Sequence, residues 1–230
     1  AIGEKMLNDG RLPLISFTGS IPTGKHVAKI VAARLGRTIL ELGGNNAIIL
    51  TPNTDLALAV PAVVFGAVGT AGQRCTTTRR LIVHKSIYKK VKKALVTAYK
   101  SLTIGDPLDA ANLVGPLIDT QAVSAYKSAL KDVVKQGGRV LFGGKVLAGM
   151  GYESGCYVQP ALVEADNDFA IVQEETFAPI LYLIRYSGNV EKAVALQNNV
   201  RQGLSSAIFS TDMREAEFFL SAQGSDCGIA

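Results

Sequence analysis

The order of elements along the chain predicts an α/β fold. Short apolar runs alternate with longer stretches that read as helices across all 230 residues. Near the start, an apolar run at 12–17, a helical stretch at 24–35 and a second apolar run at 38–42 have the spacing of a βαβ unit on a parallel sheet. A content of 48% hydrophobic and 19% charged residues fits a globular chain rather than a disordered one.

Residues 1–9 read as the end of a helix closed by Gly10. Leu12-Pro13-Leu14-Ile15-Ser16-Phe17 is a buried strand that runs into Thr18-Gly19-Ser20, and the helix at 24–35 stops at Gly36. Thr38-Ile39-Leu40-Glu41-Leu42 is the second strand, and Gly43-Gly44-Asn45-Asn46 separates it from a third at 47–50. A long apolar helix over 55–71, capped by Asn53, Thr54 or Asp55 and kinked at Pro61, leads into the polar turn Gly72-Gln73-Arg74-Cys75-Thr76-Thr77-Thr78. A strand at 80–84 and a lysine-rich helix at 85–100 come next, the helix carrying an apolar stripe of Ile87, Val91, Ala94, Leu95, Ala98 and Tyr99. Then follow a loop at 105–115, an amphipathic helix at 120–135 ended by Gly137-Gly138, a strand at 139–142 and a glycine-rich surface loop at 145–156. Strands at 157–163, 180–186 and 205–209 and helices at 190–198 and 213–222 complete the alternation. There is no internal repeat and no low-complexity segment.

The charge balance excludes some classes of function. Twenty-four basic against 19 acidic residues give +5, which suits anionic ligands but does not mark a nucleic-acid binder. Lys89, Lys90 and Lys93 lie off the apolar stripe of their helix, as a solvated face does. Three widely spaced cysteines, Cys75, Cys156 and Cys227, and two histidines, His26 and His84, form no zinc pattern and no disulfide framework, so no metal is expected and a reducing compartment is. No apolar run is long and clean enough to span a membrane. The sequence opens on Ala1 and stops at Gly228-Ile229-Ala230 inside what reads as an element, so a piece of a longer chain is expected.

Cys75 sits in a glycine-led polar turn between a helix and a strand. Its thiolate is a strong nucleophile, and Arg74 puts a positive charge next to it. A small buried residue with an inert thiol is the competing reading. Ser20 opens a helix directly after a strand, where free N–H groups and the helix dipole favour phosphate, and Gly19 lets the backbone approach closely. An ordinary N-cap serine explains the same residue. Residues 19–26 also approach the P-loop pattern GxxxxGK[ST], but His26 stands where a hydroxyl should meet magnesium and Pro22 removes an N–H from the cradle. Glu41 sits in an apolar strand, where burial would make its carboxylate a stronger base, unless it faces solvent on an edge strand. Glu174 and Glu175 are adjacent, so on extended chain they point to opposite sides. A thiol hydrolase using Cys75 would need a histidine partner, for which His84 is the candidate.

Phe17-Thr18-Gly19-Ser20, Glu41-Leu42-Gly43-Gly44, Gly72-Gln73-Arg74-Cys75 and Glu175-Thr176-Phe177-Ala178-Pro179 occur here in the order found in the aldehyde dehydrogenase superfamily. The chain resembles that family from about Leu14 to its end. Within it, Asn45, Ala178 and the segment Gly224-Ser225-Asp226-Cys227-Gly228-Ile229 resemble the antiquitin group, which oxidises α-aminoadipic semialdehyde in lysine breakdown. The resemblance implies the end of a Rossmann-type cofactor domain at 1–43, followed by an α/β catalytic domain at 44–230 that is incomplete at its C-terminus. It implies NAD as cofactor and a small-molecule aldehyde as substrate. It also implies a homotetramer when full length, with no nucleic-acid or membrane partner, in the cytoplasm or the mitochondrion.

By the same resemblance Cys75 attacks the aldehyde, its N–H helps hold the oxyanion, and Glu41 activates the water that hydrolyses the thioester. Gly19 and Ser20 meet the pyrophosphate, Leu42 and Gly43 lie with the nicotinamide, Glu175 binds the ribose and Phe177 packs near the ring. Arg74 and Thr76 contact the substrate, Arg74 by gripping a carboxylate in a bidentate pair, with an ion pair inside the fold as its alternative reading. The family's second oxyanion donor, its adenine-ribose lysine and the rest of its substrate loop fall outside these residues, so the 230-residue piece alone is expected to be inactive. A non-catalytic paralogue with the same fold is the alternative.

Overall fold

Parallel strand pairing organises the chain in two places. The computed structural model describes all residues, 1–230, and they divide into two compact units, Ala1–Gly43 and Gly44–Ala230.

The first unit holds α1 (Ile2–Asn8), β1 (Leu14–Thr18), α2 (Ile21–Ala33) and β2 (Arg37–Glu41). β1 and β2 pair in parallel, Leu14 opposite Arg37 and Thr18 opposite Glu41, with α2 as the crossover of the expected βαβ unit. α2 begins three residues before the expected Gly24. The Ser20 Oγ accepts the Thr23 N–H at 3.4 Å, and Pro22 falls in the first turn, where the N–H it lacks has no helical partner anyway. Leu7, Val27 and Val31 form the small core.

The second unit is built on a six-stranded sheet. Its helices and strands are β3 (Asn46–Leu50), α3 (Leu56–Val68), β4 (Thr78–His84), α4 (Tyr88–Lys100), α5 (Thr120–Lys135), β5 (Arg139–Phe142), β6 (Ala161–Glu164), α6 (Ala170–Gln173), β7 (Ile180–Tyr186), α7 (Val190–Asn198), β8 (Ser206–Phe209) and α8 (Met213–Leu220). The strand order is β5-β6-β7-β4-β3-β8, parallel throughout except for the antiparallel edge pair β5–β6. β3 and β4 are buried at every position, as expected for central parallel strands covered on both faces. α3 starts on Asp55, whose Oδ1 accepts the Ala57 N–H at 2.9 Å, and runs unbroken through Pro61. On α4 the expected stripe is the buried one, with Val91, Leu95 and Tyr99 in the core.

Other elements also depart from the expected ones. The strand expected over 157–163 is confined to Ala161–Glu164, because Pro160 has no N–H to give a ladder; Val158 instead makes an isolated bridge to Val146. The short helix Ala170–Gln173 is too brief to show a helical period and was not expected from the sequence. The apolar helix ends at Val68, not Ala71, and the reason lies in the cysteine turn. No helix is long and apolar enough to cross a membrane.

Candidate active site

Left-handed backbone shapes the cysteine turn. After α3, Thr70 and Ala71 adopt φ of 54° and 53°, and Gly72 follows at 70°. Non-glycine residues in this region cost on the order of 1–3 kcal/mol each and persist only where other bonds hold them. Here the Thr70 carbonyl accepts the Gln73 N–H at 3.0 Å and Gln73 Nε2 at 3.2 Å, while Thr70 Oγ1 accepts Arg74 Nε at 2.8 Å. Thr77 closes the other side: its Oγ1 accepts the Arg74 N–H at 3.1 Å, and its own N–H donates to the Arg74 carbonyl at 3.1 Å.

Cys75 is therefore held in a turn tied at both ends, with a free, half-buried thiol. Asn46, the first residue of β3, fixes the turn to the sheet. Its Nδ2 donates to the Cys75 carbonyl at 2.7 Å and the Thr77 carbonyl at 2.9 Å, while its Oδ1 accepts the Ser205 N–H at 3.1 Å. Gly44 lies against the same turn, and a methyl there would meet the Cys75 carbonyl oxygen at 2.5 Å.

Arg74 and Thr76 are exposed. The Arg74 guanidinium rests 5.5 Å from the Phe65 ring and has no carboxylate within ion-pair distance, which removes the internal ion pair as the explanation of this residue. A cavity of about 340 Å³ opens between Thr70, Ala71 and Gln73 of the turn and the loop at 107–116.

Glu175 and Phe177 reach the turn through Arg79, a residue of β4. The Arg79 guanidinium is 2% exposed and bonds Glu175 Oε1 at 3.3 Å, with the Phe177 ring 5.4 Å away. Glu175 Oε1 also accepts the Gly44 N–H at 3.1 Å, while no protein donor bonds Oε2. Burial pulls the pKa of Arg79 below the usual arginine value. Glu175 opposes that most strongly, and a Cys75 thiolate opposes it as well. The buried positive charge near Cys75 is thus Arg79, whereas the adjacent Arg74 turns to Thr70 and Phe65.

Sequence reasoning missed both Arg79 and Asn46. The signal for Arg79 was present: two successive arginines in a strand that is otherwise apolar demand partners. Nothing local marked Asn46, whose partners lie 29 or more residues away. His84 does not pair with Cys75. It ends β4, bonds Ser86 Oγ through Nδ1 at 2.7 Å, and six residues of strand put it roughly 20 Å along from Thr78. The histidine partner that the thiol-hydrolase reading needs is therefore not His84.

The remaining candidates belong to the first unit. The Gly19 N–H donates to the Glu41 carbonyl at 3.0 Å, so the ends of β1 and β2 meet there. Ser20 Oγ is shared with Thr23, through its N–H and its Oγ1 at 2.9 Å. This is the N-cap reading, and it leaves the Ile21 N–H directed out of the helix end. Leu42 packs over Gly24, where a methyl would clash with its side chain. Glu41 is exposed, which is the solvent-facing one of the two arrangements the sequence left open. Its side chain alternates outward on a strand whose burial pattern is exposed at every second residue.

The conformation of Gly72 can be tested directly. A methyl at this position would be forced into the Ala178 and Pro179 backbone, 2.5 Å from the Pro179 nitrogen, at a φ that disfavours any side chain. Gly72→Ala is expected to lower the unfolding free energy by roughly 2–4 kcal/mol in urea titration of the chain. A loss below about 1 kcal/mol would contradict this placement of the turn.

A turn that holds a free thiol, a carboxylate tied to it through Arg79 and a parallel α/β sheet are the features to be compared with known proteins. Residues 1–229 match the family model described as "Aldehyde dehydrogenase family", and the chain belongs to that family. Among curated relatives it is 49% identical to "Alpha-aminoadipic semialdehyde dehydrogenase" of Bos taurus over 229 residues, 99% of this chain and 42% of that protein. It is 47% identical to "Aldehyde dehydrogenase family 7 member A1" of Brassica napus, over 99% of this chain and 45% of that one. Among solved structures, betaine aldehyde dehydrogenase from Staphylococcus aureus in complex with NAD+ superposes with a TM-score of 0.94 at 31% identity, covering 99% of this chain and 45% of that chain. The fold is that of an aldehyde dehydrogenase. The chain spans less than half the length of the curated relatives it matches.

Proposed function

We propose that this chain supplies the nucleophile and the nicotinamide-side residues of an NAD-dependent aldehyde dehydrogenase whose substrate carries a carboxylate, such as α-aminoadipic semialdehyde. The carrying observation is Arg74: an exposed guanidinium without a carboxylate partner, one residue from a free thiol. Such a group can take a substrate carboxylate in a bidentate pair. The name of the Bos taurus relative supports the choice of aldehyde.

The residues present fit the cofactor. Glu175 Oε1 is fixed by the Gly44 N–H and Arg79, which leaves Oε2 to accept from ribose hydroxyls. Phe177 is half-exposed beside it, and the free N–H of the α2 terminus can meet phosphate. NAD, when bound, supplies the hydride acceptor. The Cys75 thiolate adds to the aldehyde carbon, and the Cys75 N–H donates to the developing oxyanion. As the oxyanion collapses, hydride leaves the carbon and a thioester on Cys75 remains. Glu41 takes a proton from water, the resulting hydroxide adds to the thioester, and the thiolate is expelled with release of the acid.

The test is a substrate panel on a protein of full family length. Arg74→Ala is expected to raise KM for α-aminoadipic semialdehyde by about 30-fold, the loss of a charged hydrogen-bond pair, with neutral aldehydes changed by less than about twofold. Equal losses on both classes would remove Arg74 from substrate recognition. NAD binding without aldehyde-dependent NADH would favour a non-catalytic member of the family.

A further inference from the structure

Arg79 joins three segments that are distant in sequence. Its Nη1 donates to the Thr176 carbonyl at 2.5 Å and the Gly72 carbonyl at 3.4 Å. Nη2 donates to the Arg74 carbonyl at 3.1 Å and Glu175 Oε1 at 3.3 Å, and Nε to the Gly44 carbonyl at 3.4 Å. No other side chain bonds the glycine turn at Gly44, the cysteine turn and the Glu175 segment together.

We propose that Arg79 is a positioning residue that sets where Glu175 presents its free oxygen relative to the Cys75 turn. This rests on the reading of Glu175 as the ribose ligand. Glu175 Oε1 has two partners, the Gly44 N–H and Arg79. Without Arg79 the carboxylate keeps one tether, can rotate toward solvent, and must be ordered again each time NAD binds. The same guanidinium is the buried positive charge paired with the Glu175 carboxylate, 3.3 Å away. A lysine would restore that charge, but its three donors spread from one point and cannot span carbonyls on three segments.

The test is a double-mutant cycle in a protein of full family length, using Arg79→Gln, Arg79→Lys, Glu175→Gln and the paired variants. The readouts are the NAD dissociation constant and the hydride-transfer rate in a single turnover, each scaled to the folded fraction from circular dichroism. Arg79→Gln and Glu175→Gln are each expected to weaken NAD about tenfold, and the double variant also by about tenfold, because the second change removes an interaction already lost. Arg79→Lys is expected to recover about threefold of that loss. If Arg79→Gln does not fold, the cycle is run with Arg79→Lys. Additive losses of about a hundredfold, or unchanged NAD affinity of folded Arg79 variants while Glu175→Gln is impaired, would overturn the proposal and leave the ribose reading standing. Unchanged NAD affinity in Glu175→Gln itself would sink the ribose reading, and this inference with it.

Discussion

Cys75→Ser in a protein of full family length is expected to lower aldehyde-dependent NADH formation by on the order of 10⁴-fold or more, with NAD affinity changed by less than about twofold. The size follows from what is lost. A serine hydroxyl at neutral pH is almost wholly protonated, and His84, the candidate base, ends β4 roughly 20 Å along the strand from Thr78. The turn itself should survive, because Thr70, Gln73, Arg74, Thr77 and Asn46 hold it through groups other than the thiol. Steady-state turnover and NAD titration of the same preparation separate the two effects. Turnover within tenfold of the parent would mean that Cys75 is not the nucleophile.

Arg80→Met is expected to destabilise the second unit by about 3–5 kcal/mol, a large share of the stability of an ordinary domain. Arg80 is 1% exposed and has no carboxylate partner. Its five bonds go to carbonyl-type oxygens: two to the Asn45 carbonyl at 3.0 and 2.9 Å, and one each to Asn167 Oδ1 at 3.0 Å, Leu196 O at 3.0 Å and Gln197 O at 2.9 Å. Burial pulls its pKa down to about 10, so it remains charged at neutral pH, and the oxygens around it solvate that charge. Methionine fills much of the volume and leaves those oxygens buried without a donor, each at a cost of about 1–3 kcal/mol before relaxation. In urea the midpoint should fall by roughly 1.5–3 M. A fall equivalent to less than about 1 kcal/mol would show that water or neighbouring groups replace the guanidinium.

Local pattern carried much of this fold. Thr120–Lys135, Arg139–Phe142, Ile180–Tyr186 and Val190–Asn198 have the bounds that period and glycine punctuation predict. Boundaries failed where tertiary contacts decide them. The left-handed Thr70 and Ala71 end α3 early because Arg74 and Gln73 hold them, and an apolar run from 55 to 71 gives no sign of that. Family motifs made Cys75, Glu175 and Phe177 legible, but not the bonds that bring them together, which join residues 96 and 131 apart. The two arginines of β4 were the readable sign, since buried cations in a central strand need oxygen partners from elsewhere in the chain. Glu41 shows another limit: its apolar neighbours left burial and a solvent face equally open, and the alternation of the strand turns the carboxylate outward.

The central claim is that the aldehyde is oxidised while covalently bound to Cys75, and one measurement addresses it directly. A protein of full family length, with Glu41→Gln to slow hydrolysis, is mixed with NAD and α-aminoadipic semialdehyde, quenched in acid, and its peptides are mass-analysed. The account predicts an acyl adduct on the peptide containing Cys75, formed together with one equivalent of NADH and absent when Cys75 is replaced by serine. A burst of NADH with no adduct on that peptide would contradict it.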